Sequence, residues 1–208
     1  MLPHKPIQDF VKIISLLPGI GPRQALRLAY HLLHLSPKKQ QEFIRTTQGL
    51  FSKMKLCSDC FLPFEPRSSK EKLCEICRDP SRDHSVICVV EKETDLLTIE
   101  KTKKYHGVYH ILGGLYSGKK KQQRASFTLP QLIQRVKRYS KSTRPIREII
   151  LALNPTSEGN LTSYYIEKAI RNLNLNIKIT RLARGIPSGG EIEFADSETL
   201  INALEGRK

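Results

Sequence analysis

The sequence has no apolar run approaching the roughly 20 residues that a membrane-spanning helix needs. Its first ten residues, MLPHKPIQDF, do not form a signal-peptide pattern. It also contains no G-x-x-x-x-G-K-[ST] phosphate loop and no nucleophile elbow. We therefore expect a cytoplasmic protein without a membrane partner, and the sequence offers no case for ATP hydrolysis.

Carboxylates are missing from a long central stretch. Residues 101–147 contain thirteen Lys and Arg but no Asp or Glu, whereas the whole chain of 208 residues carries +15. Residues 1–56 hold a second excess of +7, and the remaining segments are slightly acidic. Such an excess can serve solubility alone, but two separate basic blocks favour a polyanion such as DNA or RNA.

The first 56 residues have a helical apolar period that is interrupted by Pro-Gly-Ile-Gly-Pro at 18–22. Gly19 and Gly21 predict a tight turn, and Pro22 suits the first turn of the next helix. Bare N–H groups at such a helix start can hold a phosphate. Arg23 and Arg27, four residues apart, would flank that phosphate. The alternative is a plain connector beside two solvated arginines.

Two further expectations concern helices of this region. The following helix should bury Leu26, Ala29 and Leu33 on a face away from the arginines. The next should begin with Ser36 as its N-cap and Pro37 at its first position.

The chain after Arg82 alternates between strand-like and helix-like sequence patterns. Short Ile- and Val-rich runs, which predict strands, occupy 85–91, 108–113, 148–154 and 177–182. Helical patterns lie between them at 94–102, 129–139 and 161–173. This alternation predicts a mostly parallel α/β sheet. A last strand at 191–195 and a helix from Ser197 to Glu205, closed by Gly206, should end the chain.

Four of the five cysteines form two pairs, Cys57-x-x-Cys60 and Cys74-x-x-Cys77, separated by thirteen residues. Two such pairs complete the four-thiolate shell that Zn²⁺ accepts, and they leave no open position for catalysis. We predict one structural zinc per chain, which would supply the folding energy that this polar segment lacks. Cys88 lies in an apolar run, which predicts a buried, inert thiol.

Glu91 follows the first strand of the α/β region, at the sheet edge where active sites gather. Magnesium chemistry would require further carboxylates there. The next strand ends instead in Asn154, Pro155 and Thr156, and Asp95 lies inside a helix pattern. No catalytic residue is therefore predicted.

These motifs together resemble the RecR family of bacterial recombination mediators. LPGIGPRQALRLAYHLL resembles its helix-hairpin-helix, and CSDC…CEIC followed by ICVVE is similar to its zinc finger and Toprim domain. ILALNPTSEGNLTSYYI resembles its degenerate Toprim core, and RLARGIPSGGEIEFADSETLINALEGR its carboxyl-terminal signature.

The resemblance implies an α/β protein of several modules. They are a helix-hairpin-helix DNA-binding region (1–56), a four-cysteine zinc finger (57–80), a Toprim-like domain (81–180) and a carboxyl-terminal strand-helix assembly segment (181–208). It implies a non-enzymatic, nucleoid-associated homotetrameric ring that clamps double- and single-stranded DNA. It also implies work with RecO and, where present, RecF in loading recombinase, with Glu91 on the face where RecO or RecF would dock.

The chain departs from the family pattern in its longer finger, at Asn160, and in the loop SGKKKQQRAS at 117–126. We expect Lys119, Lys120, Lys121 and Arg124 of this loop to be exposed and to contact phosphates. Two other classes of function stay open at this point. One is a metal-dependent Toprim enzyme such as a primase or nuclease, and the other is an RNA-binding protein with a zinc ribbon.

Overall fold

A computed structural model describes residues 4–116, 127–183 and 185–207. The chain forms two compact units, Met1–Met54 and Lys55–Lys208. Within the described ranges, no helix is long and apolar enough to cross a membrane.

The first unit is made of three helices, as the apolar period predicts. They are α1 (Lys5–Ile14), α2 (Pro22–Leu33) and α3 (Pro37–Lys53). A proline stands at the start of each, where its missing N–H is not needed. Ser36 is the N-cap residue of α3, as expected, although its side chain makes no capping hydrogen bond.

The small core of this unit depends on alanines of α2. Ala25 and Ala29 are buried, so α1 and α2 can approach closely. Leu26 is half-buried. The expectation that Leu33 is core is wrong, since Leu33 is 60 % exposed at the last position of α2.

The second unit begins with the cysteine segment. Its two-residue strands β1 (Lys55–Leu56) and β2 (Pro63–Phe64) pair in antiparallel fashion around the first cysteine pair. The second pair lies at the short helix α4 (Glu75–Arg78). This segment has little regular structure of its own, which agrees with its polar sequence.

A four-stranded sheet follows, and all of its neighbouring strands are parallel. Its strands are β3 (Asp83–Val90), β4 (Gly107–Ile111), β5 (Glu148–Ala152) and β6 (Lys178–Arg181), in the spatial order β4-β3-β5-β6. The crossover helices are α5 (Glu93–Lys101), α6 (Leu129–Ser140) and α7 (Ser157–Arg171). The predicted parallel α/β fold class is therefore confirmed.

Alternate residues of β3 build two cores on opposite faces of the sheet. Ile87 and Val89 pack with residues of α6 and α7 on one face. Cys88 and Val90 face the other side, where the four paired cysteines belong to the same buried cluster. The cysteine segment therefore shares a buried core with one face of the sheet. Cys88 is buried as predicted, and burial raises the pKa of its thiol to about 12.

The carboxyl-terminal segment contains one correction. The expected strand at 191–195 is instead a single 3₁₀ turn, Ile192–Phe194. Its alternating pattern suits a strand, but no strand in the described part of the chain pairs with it, and Phe194 is 78 % exposed. The final helix α8 (Ser197–Glu205) begins and ends as predicted, with Gly206 as its C-cap.

Candidate metal centre and nucleic-acid interface

The four paired cysteines converge as their spacing predicts. All four are buried, and their sulfur atoms lie within 4.8 Å of one another. Zn–S bonds of about 2.3 Å place tetrahedral thiolates about 3.8 Å apart, so this cluster fits a four-thiolate metal shell. Cys60 Sγ and Cys74 Sγ are 3.5 Å apart, which joins the two pairs directly. The cluster could therefore bind a metal ion.

The backbone around the cysteines is shaped to present sulfur atoms. Phe61 adopts a left-handed conformation with φ 67°, which closes the first turn, and its N–H bonds Cys57 O at 3.0 Å. The N–H of Cys74 donates to Cys57 Sγ at 3.4 Å. The crowding of the thiols lowers the pKa of Cys57, chiefly through Cys60, and raises that of Cys77, chiefly through Cys57. Crowded thiols of this kind resist joint deprotonation until a cation neutralises them.

An aspartate inside the first cysteine pair anchors the finger to the sheet domain. Asp59 is only 6 % exposed, and its carboxylate accepts hydrogen bonds from Tyr139 Oη at 2.7 Å and from the Arg138 guanidinium. Burial, followed by the bond to Asp59, raises the pKa of Tyr139. Arg135 Nη1 donates to the carbonyl oxygens of Asp59 at 3.0 Å and of Tyr109 at 2.6 Å.

Two further contacts seat the same turn on β4. The N–H of Ile111 donates to Cys60 O at 2.9 Å, and the rings of Phe61 and His110 meet edge to face at 5.4 Å. Sequence reasoning missed this anchor. Asp59 and its partners on α6 are about 80 positions apart, and neither segment alone indicates that they meet.

The Gly19–Gly21 turn presents an open surface at the start of α2. Gly19 has φ +77°, which favours glycine, whereas Gly21 is extended and caps the helix through its carbonyl. A Cβ at either position would meet no atom of the described residues within 4 Å. Gly21 is therefore required neither by its backbone angles nor by packing within this unit, and the space above it is available to a ligand.

The two arginines of α2 point away from its core. Arg23 and Arg27 are exposed, whereas Ala25 and Ala29, on the opposite face, are buried. Among the described residues, neither arginine forms an ion pair. No side chain caps the helix start, so its first N–H groups face outward. Gly19, Gly21, Arg23 and Arg27 are thus all exposed, and both arginines lie within the first two turns of α2. Lys119, Lys120, Lys121 and Arg124 lie outside the described residues.

The carboxyl edge of the sheet carries the Glu91 carboxylate at the end of β3, but Asn154 and Thr156 rather than further carboxylates follow β5. Asn154 Nδ2 donates to Glu91 Oε2 at 3.2 Å. The Asp95 carboxylate accepts the N–H of Lys92 at 3.2 Å, and Thr156 accepts the N–H of Gly159 at 3.1 Å as the N-cap of α7. The structure brings Glu91 and Asn154 together, while the other polar groups complete local caps.

Gly159 explains how this edge closes. A Cβ at this position would lie 2.0 Å from Asn154 O, so only glycine lets α7 begin so near the end of β5. A cavity of about 590 Å³ lies beside this edge, and its lining includes the carboxylates of Asp95 on α5 and of Asp196 and Glu198 at the start of α8.

A three-helix unit with an open glycine turn, a four-cysteine finger and a parallel sheet define a class of multi-domain nucleic-acid-binding protein. Three family models match the chain in this order: a RecR helix-hairpin-helix over residues 7–46, a Toprim domain over 85–183, and the RecR C-terminal segment over 185–208.

Curated relatives match almost the whole length. Recombination protein RecR of Chloroflexus aggregans is 40 % identical, with 98 % of this chain and 93 % of the relative covered. The RecR proteins of Cyanothece sp. and Cutibacterium acnes are 39 % and 37 % identical, with 98 % and 97 % of this chain and 96 % and 94 % of the relatives covered. The chain belongs to the RecR family of recombination proteins, as the motifs predict.

Proposed function

We propose that this protein is a non-enzymatic recombination mediator that grips DNA phosphates with the Gly19–Gly21 turn. The observation that carries the proposal is the exposed surface formed by this turn with Arg23 and Arg27. Outward N–H groups, the positive end of the α2 dipole and two exposed guanidinium groups all favour an anion there. Contacts of this kind do not read bases, so binding should be independent of sequence.

We propose that the carboxylates at the carboxyl edge are structural and not catalytic, because Glu91, Asp95 and Asp196 each accept a local hydrogen bond. Magnesium in phosphoryl-transfer sites is held by carboxylates together with phosphate oxygens. Here the Glu91 carboxylate accepts a hydrogen bond from an amide, and Thr156 serves as a helix cap. The Toprim sheet is thus a scaffold in this reading, and a primase or nuclease activity is not favoured. Family membership likewise argues against an RNA-binding zinc ribbon.

The four-cysteine cluster holds one structural zinc in this proposal. Cys57, Cys60, Cys74 and Cys77 are the ligands, and they leave no position for a substrate. The metal would fix the turn that carries Asp59, through which the finger is attached to α6. Its contribution is therefore to folding and not to chemistry.

The assembly follows from the family and is part of the same proposal. The functional modules are those expected at 1–56, 57–80, 81–180 and 181–208, except that β1 (Lys55–Leu56) belongs with the finger and β6 extends the sheet domain to Arg181. Both units expose large apolar side chains, including Phe51 at 79 % and Phe194 at 78 %. Exposure of this extent supports self-association. We propose a cytoplasmic homotetrameric ring around DNA, with RecO and RecF docking near Glu91. Lys119, Lys120, Lys121 and Arg124 would add phosphate contacts, so neutralising all four should reduce the salt dependence of binding.

The test of the DNA grip compares two charge-reversed variants of the whole chain. Arg23→Glu with Arg27→Glu should lose most affinity for a DNA duplex at fixed salt. Lys38→Glu with Lys39→Glu makes the same change in net charge at exposed positions in the first turn of α3, where acidic residues suit the helix dipole. Binding should be largely retained in this control. If the arginine variant and the parent bind DNA with equal affinity, the turn only connects α1 and α2 and does not bind phosphate.

A further inference from the structure

A second basic surface lies on the other unit, at the amino-terminal edge of the sheet. We call it the amino-edge patch. It consists of Lys137, Arg138, Lys141, Arg144 and Arg147, which are all exposed. The patch begins on the last turn of α6 and ends just before β5, so it lies at the edge opposite Glu91 and Asn154. It belongs to the carboxylate-free block but contains none of the residues discussed above as DNA contacts.

The patch borders a cavity of about 350 Å³. Arg144 and Arg147 line it together with the hydroxyls of Ser85 and Thr143 and with Asp83, the carboxylate that pairs with Arg147. Arg147 is held in place, because its Nε donates to Ser85 Oγ at 2.8 Å and its Nη2 to Asp83 Oδ2 at 3.2 Å. Its side chain is nevertheless 71 % exposed. A positioned guanidinium beside an open polar cavity is suited to receive an anion.

The positive charge of the patch is only partly neutralised. Asp59 pairs with Arg138 and Asp83 pairs with Arg147. Across the described ranges, Lys137, Lys141 and Arg144 form no ion pair. Cations at a helix C-terminus are stabilised by the helix dipole, so the positive charges of Lys137 and Lys141 stabilise α6. Arg144 lies beyond the helix, so the dipole does not account for its charge.

The surroundings favour phosphate over a protein surface. No large hydrophobic residue in the described part of 127–147 is strongly exposed. Protein interfaces usually have an apolar centre and few lysines. Phosphates are instead bound by Lys, Arg and hydroxyl groups, and Thr143 offers an exposed hydroxyl at the cavity.

We propose that the amino-edge patch is a second contact surface for the phosphate backbone of nucleic acid, with one phosphate seated between Arg144 and Arg147. The inference rests on the proposed function only in taking DNA as the polyanion. The patch would add affinity without sequence preference, and each contact would release condensed counterions.

The test neutralises the unpaired cations in the full-length protein. The variant Lys137→Gln, Lys141→Gln, Arg144→Gln is compared with Lys101→Gln, Lys104→Gln, Lys168→Gln, which removes the same charge at positions elsewhere in this unit. Fluorescence anisotropy with a labelled DNA duplex is recorded over a range of NaCl concentrations. The patch variant should lower the slope of log K against log salt by about 2 to 3, since each phosphate contact contributes about 0.9.

The control should keep the slope of the parent, and Arg144→Gln alone should lower it by about 0.9 if the cavity seats one phosphate. A patch variant with the slope of the control would overturn the inference, including the case in which the patch binds an acidic protein. The Arg23→Glu, Arg27→Glu variant is measured alongside both sets as a separate protein. If only the arginine variant loses binding, the patch proposal is wrong and the proposed DNA grip stands. If only the patch variant loses binding, the DNA grip is wrong and the patch proposal stands.

Discussion

The anchor between the finger and the sheet domain makes a quantitative prediction about Asp59→Ala. The change removes a hydrogen bond from Tyr139 to a buried carboxylate, which is worth about 1.5–3 kcal/mol. It also removes the ion pair with Arg138, whose side chain is 58 % exposed, so that pair adds at most about 1 kcal/mol. The bond from Arg135 remains, because it uses the main-chain carbonyl of Asp59. The expected loss is therefore about 2–4 kcal/mol in the free energy of unfolding.

The assay is thermal unfolding followed by tyrosine circular dichroism, with zinc content measured on the same samples. A loss of this size should lower the melting temperature of the second unit by roughly 10 °C. The zinc proposed for the four-cysteine cluster should stay bound, since Asp59 is not one of the proposed ligands. Tyr139→Phe should reproduce the larger part of the loss. Glu65→Ala removes an exposed carboxylate from the same segment and should change nothing. An Asp59→Ala protein that melts within about 2 °C of the parent would refute this reasoning.

Three further outcomes follow from the structure. Cys74→Ser should lose zinc and expose the segment around it to protease, because three thiolates leave the tetrahedral shell incomplete; full zinc retention would contradict the ligand set. The parent should not cleave or join DNA with magnesium or hydrolyse ATP, and Glu91→Gln should leave that result unchanged; turnover abolished by this substitution would revive the enzymatic alternative. Burial lowers the pKa of His110 to about 4, so the unfolded chain takes up a proton first as pH falls, and stability should decline between about pH 6.5 and 4 by up to about 1.4 kcal/mol per pH unit. His110→Gln should flatten that decline in urea titrations, and parallel curves for the two proteins would argue against it.

The parts of the fold that could be predicted from sequence are those with local causes. The apolar runs of β3 and β5 predict buried parallel strands because such strands are covered on both faces. Cys57, Cys60, Cys74 and Cys77 converge because a short Cys-x-x-Cys turn can direct both sulfurs to one point. Pro22 begins α2 for an equally local reason.

The errors and omissions depend on distant contacts. The 191–195 segment has a strand-like alternation, but a strand also requires a partner, and the sheet ends at β6. Leu33 satisfies the helical period, yet α2 ends there before anything covers it. Asp59 meets α6 only after the chain has folded. Position 159 also depends on a tertiary contact. It requires glycine because a Cβ there would collide with the carbonyl of Asn154, which local propensity does not reveal.

The most direct test of the central claim is the affinity of the whole protein for a DNA duplex at one fixed, moderate salt concentration. Arg23→Glu with Arg27→Glu should lose most of the binding while the protein keeps its metal content, its melting temperature and its subunit number. Lys38→Glu with Lys39→Glu should bind nearly as well as the parent. If the arginine variant binds as tightly as the parent while all three proteins are folded, the claim that this turn grips DNA is wrong.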